Sequence, residues 1–290
     1  MLTSIVFSKD RALQLDLTLK SINKNWRCCS KVIVLYATSS EDHEDTYTQL
    51  SVEHPAVDFV KQKSSIFEDI RSLVSSAKSK YISFFTDDDV IYRYVEFNID
   101  DIDILFSNES LYSCISLRLG KNTTLRDYGD GIMRQDAMPT QVGSRGKGQF
   151  IIWNRTAIPV GGYWAYPLSV DGHIFERSTL EPYCEELDVL NKYNTKNPWQ
   201  QTPNEFEGKL QRFFFDLPPM MAAPRESCVV NSPNNRVQET IQNRNGDTYS
   251  YSSEELCKYF KQGKRLSLSK IPFGNIACPH QEIDILKGLE

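Results

Sequence analysis

The sequence predicts an α/β fold, a mostly parallel sheet flanked by helices and followed by a C-terminal extension. Over the first ninety residues, short apolar runs of strand type alternate with segments of helical period, the pattern of strands joined by crossover helices. One of those runs, Tyr81 to Phe85, ends abruptly in three consecutive carboxylates, Asp87-Asp88-Asp89. In open parallel sheets ligands sit at the carboxyl ends of strands, so that position carries chemistry.

Ser4 to Phe7 reads as the first strand, followed by the polar turn Ser8-Lys9-Asp10-Arg11. A helix from Ala12 to Asn23 follows, with Leu13 and Leu17 on one stripe and Leu15, Leu19 and Ile22 on the next. Val32 to Tyr36 is a β-branched run of buried-strand type, Ser39 to Asp45 an acidic loop before a short helix, and Val57 to Val60 a further strand. Ile66, Ile70, Leu73, Val74 and Ala77 share one face of a helix from Ile66 to Lys78. Tyr112 to Leu119 and Gln149 to Trp153 are strands, and the Gly- and Asp-rich stretch from Lys121 to Lys147 reads as a surface excursion. Asp171 to Asn191 reads as a helix beginning Gly172-His173-Ile174-Phe175. A second helix opens at Pro203, with Asn204 as cap and Glu207 three residues on in capping-box position. The Asn-rich stretch from Arg225 to Ser252 reads as a loop or lid rather than core.

Composition narrows the function classes. The chain has 290 residues, about the size at which one core stops growing, and its 40% hydrophobic content is ample for folding. A net charge of -5 argues against a general polyanion binder, so no nucleic-acid partner is expected. No apolar run is long enough to span a bilayer. Seven Cys, an odd number without a CxxC pair, suit a reducing, cytoplasmic compartment. Peripheral membrane association stays compatible with the modest basic cluster from Lys258 to Lys270, although a solvated face explains that cluster as well.

Three adjacent aspartates repel one another unless a cation neutralises them, and a hard divalent ion bound through oxygen does so while bridging phosphates. Asp87 and Asp89, two residues apart, are the candidate metal ligands on that argument; a solvated acidic turn is the alternative. Lys9 and Arg11 place cations in the loop after the first strand.

The opening Val6-Phe7-Ser8-Lys9-Asp10-Arg11 before an amphipathic helix, together with Phe84-Phe85-Thr86-Asp87-Asp88-Asp89, resembles the A-fold (GT-A) glycosyltransferases, in particular the family 2 type. The resemblance covers residues 1 to about 180 and implies a nucleotide-sugar-binding half at 1–110, an acceptor and catalytic half at 111–220, and an extension at 221–290 packed on the same domain. It implies donor contacts from Ser8, Lys9, Arg11, Asp87 and Asp88, and a Mn²⁺ or Mg²⁺ ion on Asp87 and Asp89. Gly161-Gly162 followed by Ser169-Val170-Asp171-Gly172-His173 is similar to the family's glycine pair and acidic motif, which makes Asp171 the base for an inverting transfer to a saccharide or other hydroxyl acceptor. Val170 stands where the family usually has an acid, and Asp171 is equally suited to cap a helix. Some A-fold enzymes complete the metal shell with a C-terminal His, a role open to His280. His173, Trp164 and Glu205 are candidates for the acceptor side, with Trp164 also explicable as core; Glu205 and Glu207, both near a helix N-terminus, compete with Asp171 for the base role, although capping explains Glu207 without it. Arg236 would meet the diphosphate if the Asn-rich stretch closes over it. Two other readings remain: a non-catalytic nucleotide- or sugar-binding protein on the same fold, and a nucleotidyltransferase, for which no Gly-rich phosphate loop is present.

Overall fold

A nine-stranded sheet in the order β3-β2-β1-β4-β11-β6-β12-β10-β9 organises the computed structural model, which describes residues 1–63, 65–107, 111–127, 132–145, 148–235, 246 and 248–290. In chain order the first half comprises β1 (Leu2–Lys9), α1 (Ala12–Asn25), β2 (Lys31–Ala37), α2 (Glu41–Glu53), β3 (Val57–Lys61), α3 (Ile66–Ser76), β4 (Tyr81–Thr86), β5 (Asp89–Ile91), α4 (Ile99–Phe106) and β6 (Tyr112–Ser116). The short strands β7 (Leu125–Asp127), β8 (Met133–Gln135) and β9 (Gly143–Arg145) precede β10 (Phe150–Asn154), β11 (His173–Glu176), α5 (Arg177–Tyr193), α6 (Pro203–Leu210), β12 (Met220–Pro224), β13 (Val229–Asn231) and α7 (Ser253–Lys261). Strands β3, β2, β1 and β4 pair in parallel, β11 runs antiparallel between β4 and β6, and β6 pairs in parallel with β12.

The strand period explains the two cores. Val6 and Phe85 are register partners and enter one core, whereas their neighbours Ile5 and Phe84, also partners, enter the other. Both faces of the sheet are thus covered, as a parallel sheet requires.

Four details depart from the sequence reading. His173–Glu176 is a strand, and the helix begins only at Arg177. Gly172 has φ +67°, outside the right-handed helical region, and the β-type run after it pairs with β4 on one side and β6 on the other. Asp171 is therefore not a helix cap. In α6 the cap is Thr202, whose Oγ1 accepts the Glu205 N–H at 3.2 Å, with Pro203 in the first turn. The acidic stretch after Ser39 is the first turn of α2, capped by Ser40, with Glu41, Asp42 and Glu44 facing the positive helix end. Finally, the Asn-rich stretch contains β13, which pairs with β5 and buries Val229 and Val230 completely. β12, which begins at Met220, lies inside the central sheet.

Candidate active site

The carboxyl ends of β1, β4 and β6 lie along one edge of the sheet, and the antiparallel β11 starts at that same edge. Gly172 N–H bonds Phe84 O at 2.8 Å, and Leu117 N–H bonds Gly172 O at 2.9 Å, so Asp171 stands between the ends of β4 and β6. Gly172 also passes close under β13: a Cβ there would lie 3.3 Å from both Val229 methyls.

At the first end of the site, Asp10 adopts φ +56° and its carboxylate accepts the Ser39 N–H at 2.7 Å. This turn leads from β1 into α1 and brings Arg11 onto the acidic triplet. Arg11 Nη1 donates to Asp87 Oδ1 and Asp88 Oδ2, both at 2.9 Å, and Nη2 donates to the Asn235 carbonyl at 2.5 Å. Ser8 Oγ and the Lys9 N–H donate to Asp87 Oδ2 at 2.8 and 3.1 Å. Burial pushes the Asp87 carboxyl up to about 6 although Arg11 opposes the shift. Asp89 faces inward, takes the Thr86 N–H at 2.8 Å and Asn231 Nδ2 at 3.1 Å, and is raised well above the usual carboxylate range by burial and by Asp171. Thr18 of α1 donates to the Asp87 and Asp89 carbonyls, pinning the turn's backbone.

Thr86 connects the two ends. Its hydroxyl donates to Asp88 Oδ1 at 2.8 Å and lies 3.5 Å from Asp171 Oδ1, while Asn231 Nδ2 reaches both Thr86 Oγ1 and Asp88 Oδ1.

At the second end, Asp171 Oδ2 accepts Arg118 Nη1 at 2.8 Å and lies 3.1 Å from His280 Nε2. Burial works against the Asp171 charge, but the His280 hydrogen bond and Arg118 outweigh it and hold the carboxyl down at about 2. The rings of Tyr163 and Tyr166 flank the Arg118 guanidinium at 5.3 and 6.0 Å, and Tyr163 also lies 5.6 Å from the His280 ring. Glu207 Oε1 accepts the Val170 N–H at 3.2 Å. Burial and the Asp171 charge push its carboxyl up to about 7, against the pull of Arg118.

Ser8, Arg11, Asp87 and Asp88 thus meet at one end, and Asp171 and His280 at the other. His280 arrives because its backbone bridges to Asn231 at the end of β13. His173 is fully buried, its Nδ1 lies 3.0 Å from the Pro167 carbonyl, and burial drives it down to about 3, so it is a neutral core imidazole beside the site. Trp164 is 1% exposed, packs against Trp153 and donates its indole N–H to the Thr123 carbonyl; the aromatic rings at the Asp171 end belong instead to its neighbours Tyr163 and Tyr166. Glu205 forms an ion pair with Lys209 along α6. Arg236 lies outside the described residues. Sequence reading missed Arg118, Thr86 and Asn231, and it explained Glu207 by helix capping, whereas its carboxylate instead accepts the Val170 N–H. For Arg118 a signal was present: a lone cation in the apolar run Tyr112 to Leu119 has to find a buried partner.

The donor set does not form the expected Asp87–Asp89 metal clamp. Asp87 is engaged by Ser8, Lys9 and Arg11, Asp89 is completely buried, and Asp88 alone of the three reaches the rim, itself paired with Arg11. Among the described residues, no group of three or more His, Cys, Asp or Glu side chains is arranged to hold a metal ion.

The bifunctional glycosyltransferase pgtA of Dictyostelium discoideum is 27% identical to this chain over 220 residues. This chain is similar to a glycosyltransferase. The match takes in 70% of the chain but only 27% of that relative, so the chain spans about a quarter of its length. No family model matches. Among solved structures, S. aureus TarS 1–349 in complex with UDP aligns over 79% of this chain and 59% of its own at 11% identity, with a TM-score of 0.46. The mannosyltransferase PcManGT from Pyrobaculum calidifontis in complex with GDP-Man and Mn²⁺ aligns over 42% of this chain and 36% of its own at 12% identity, with a TM-score of 0.31. No helix among the described residues is long and apolar enough to cross a membrane.

Proposed function

We propose that this protein is a glycosyltransferase that moves a sugar from a nucleotide diphosphate sugar to a hydroxyl acceptor, in the assembly of a glycan or polysaccharide. The observation that carries this reading is the pairing of two different charge clusters across Thr86: the Arg11-held aspartates at the end of β4, and Asp171 with Arg118 and His280 at the start of β11. The similarity to pgtA supports the same class.

In this reading Ser8, Lys9, Arg11 and Asp88 bind the nucleotide diphosphate, with Arg11 offering phosphate oxygens the guanidinium that now holds Asp87 and Asp88. The sugar projects past Thr86 toward Asp171, where Tyr163 and Tyr166 offer aromatic surface to the acceptor. A carboxylate at that end takes the acceptor hydroxyl's proton as its oxygen attacks the anomeric carbon. The bond to the diphosphate breaks on the opposite side, and the configuration inverts. A Mn²⁺ or Mg²⁺ ion would offset diphosphate charge, but the carboxylates do not fit the clamp expected for it, and no step here depends on one. A cytoplasmic setting suits such donors.

The test is a thermal-shift panel of UDP- and GDP-sugars, followed by assay of nucleoside diphosphate release with saccharide acceptors. One donor is expected to raise the midpoint of the wild-type protein and not that of Asp88→Asn, because only a native-state ligand stabilises. A folded protein that neither responds to nor turns over any donor is not a transferase of this class.

A further inference from the structure

We propose that Glu207 on α6, rather than Asp171, is the carboxylate that takes the acceptor's proton, with Asp171 serving as a permanently charged partner of Arg118 and His280. The inference rests on the transferase reading and names the base within it. The two carboxylates come from different elements, Asp171 from the turn into β11 and Glu207 from the second turn of α6. They meet because Glu207 Oε1 accepts the Val170 N–H at 3.2 Å, one residue before Asp171. One cation, Arg118, acts on both, and of the two carboxylates it hydrogen-bonds only Asp171, at 2.8 Å, its Nη1 also lying 3.1 Å from His280 Nε2.

That asymmetry divides the roles. Asp171 Oδ2 is committed to Arg118 and His280, and a carboxyl held at about 2 is a poor proton acceptor at neutral pH. Among the described residues Glu207 forms no ion pair, and burial beside Asp171 raises it to about 7, where a base is both available and strong enough. Two carboxyls whose surroundings drive them apart in this way mark an assignment of fixed charge to one and proton transfer to the other. The titratable groups around Glu207 are Asp171 and Tyr166 before β11, Arg118 after β6, and Glu205 and Lys209 on its own helix, the last two paired with each other. Among the described residues, two buried nitrogens at this corner, Arg118 Nε and His173 Nε2, have no hydrogen-bond partner.

In the step itself the hydroxyl oxygen bonds to the anomeric carbon, the anomeric carbon–phosphate oxygen bond breaks with its electron pair leaving on the nucleoside diphosphate, and the hydroxyl proton moves to Glu207. Solvent then removes that proton.

The experiment measures nucleoside diphosphate release from UDP-glucose, UDP-N-acetylglucosamine and GDP-mannose between pH 5 and 9. Wild type, Glu207→Gln and Asp171→Asn are compared, with donor-induced thermal shift as the check of folding. Wild-type release is expected to fall below a pH near 7. Glu207→Gln, whose amide oxygen still accepts the Val170 N–H, is expected to keep the donor shift, lose about 10²–10⁴-fold in rate and lose that acid limb. Sodium azide, an anionic nucleophile with no proton to give up, is expected to restore release in Glu207→Gln and yield a glycosyl azide. Asp171→Asn is expected to be slow but to keep an acid limb. A Glu207→Gln protein with the wild-type limb, or with a rate within threefold of wild type, overturns the assignment and leaves the transferase reading standing. Absence of release from every donor by the wild type overturns both.

Discussion

At the end of β4 one guanidinium, Arg11, is spread over two aspartates, whereas across Thr86 one aspartate, Asp171, collects a guanidinium and an imidazole. Asp87 and Asp171 are both almost fully buried, at 3% and 7% exposure, yet Asp87 rises to about 6 and Asp171 falls to about 2. Burial is nearly the same for the two, so the ratio of cations to carboxylates decides the direction. The lesson is that the acidic triplet, conspicuous in the sequence, is the end with spare negative charge, while the isolated Asp171 owes its charge state to residues far from it in the chain.

The largest effect should come from the Asp171 end. Arg118→Met leaves Asp171 buried without its guanidinium, and the expected loss is about 3–5 kcal/mol in denaturant unfolding, as for other broken buried pairs. A loss under 1 kcal/mol would mean that water reaches Asp171 and that the contrast between the two ends is overdrawn.

The acidic-triplet end should respond to pH with a defined sign. Because the folded Asp87 carboxyl lies at about 6, above its unfolded value, its contribution to stability is fully present below the ordinary carboxylate range and is lost as pH rises through 6. Unfolding free energy should therefore fall by roughly 2 kcal/mol between pH 4.5 and 7 from this group, and Asp87→Asn should flatten that slope. In Arg11→Ala both aspartates lose their cation, so Mn²⁺ should raise its thermal midpoint more than that of the wild type. Equal response in the two proteins would break the idea that Arg11 competes with a divalent ion for this cluster.

Gly172→Ala tests the hinge between the ends. A left-handed φ and Val229 methyls at 3.3 Å from the new Cβ predict a cost of about 1–2 kcal/mol, read as a lowered midpoint. The smallest effect belongs to Glu205→Gln, which removes only a solvent-facing pair with Lys209 along α6 and should change stability by about 0.3 kcal/mol.

Much of the first half of the chain was legible because its information is local. The alternation of β-branched runs with helical stripes gives β1 to β4 within a few residues at each end, and a strand ending in carboxylates points to the sheet edge where the charged clusters lie. The turn Ser8 to Arg11 and the triplet at Asp87 were both visible as motifs. The second half was harder to read. The run His173-Ile174-Phe175 becomes a strand only because β4 and β6 leave a place between them, and β13 hides in a polar-looking stretch whose Asn231 is a site residue.

The sequence by itself determined the class of fold and the strand end at which Asp87, Asp88 and Asp89 gather, and it singled out Asp171 by motif. Tertiary structure decided which charge each one meets: Arg11 on the triplet, Arg118 and His280 on Asp171, and Glu207 beside it. Hydrophobic period and turn chemistry act over a few residues and can be read along the chain. A buried carboxyl's charge depends on cations brought within about 3 Å from positions 53 and 109 residues away, and only the folded chain sets that distance.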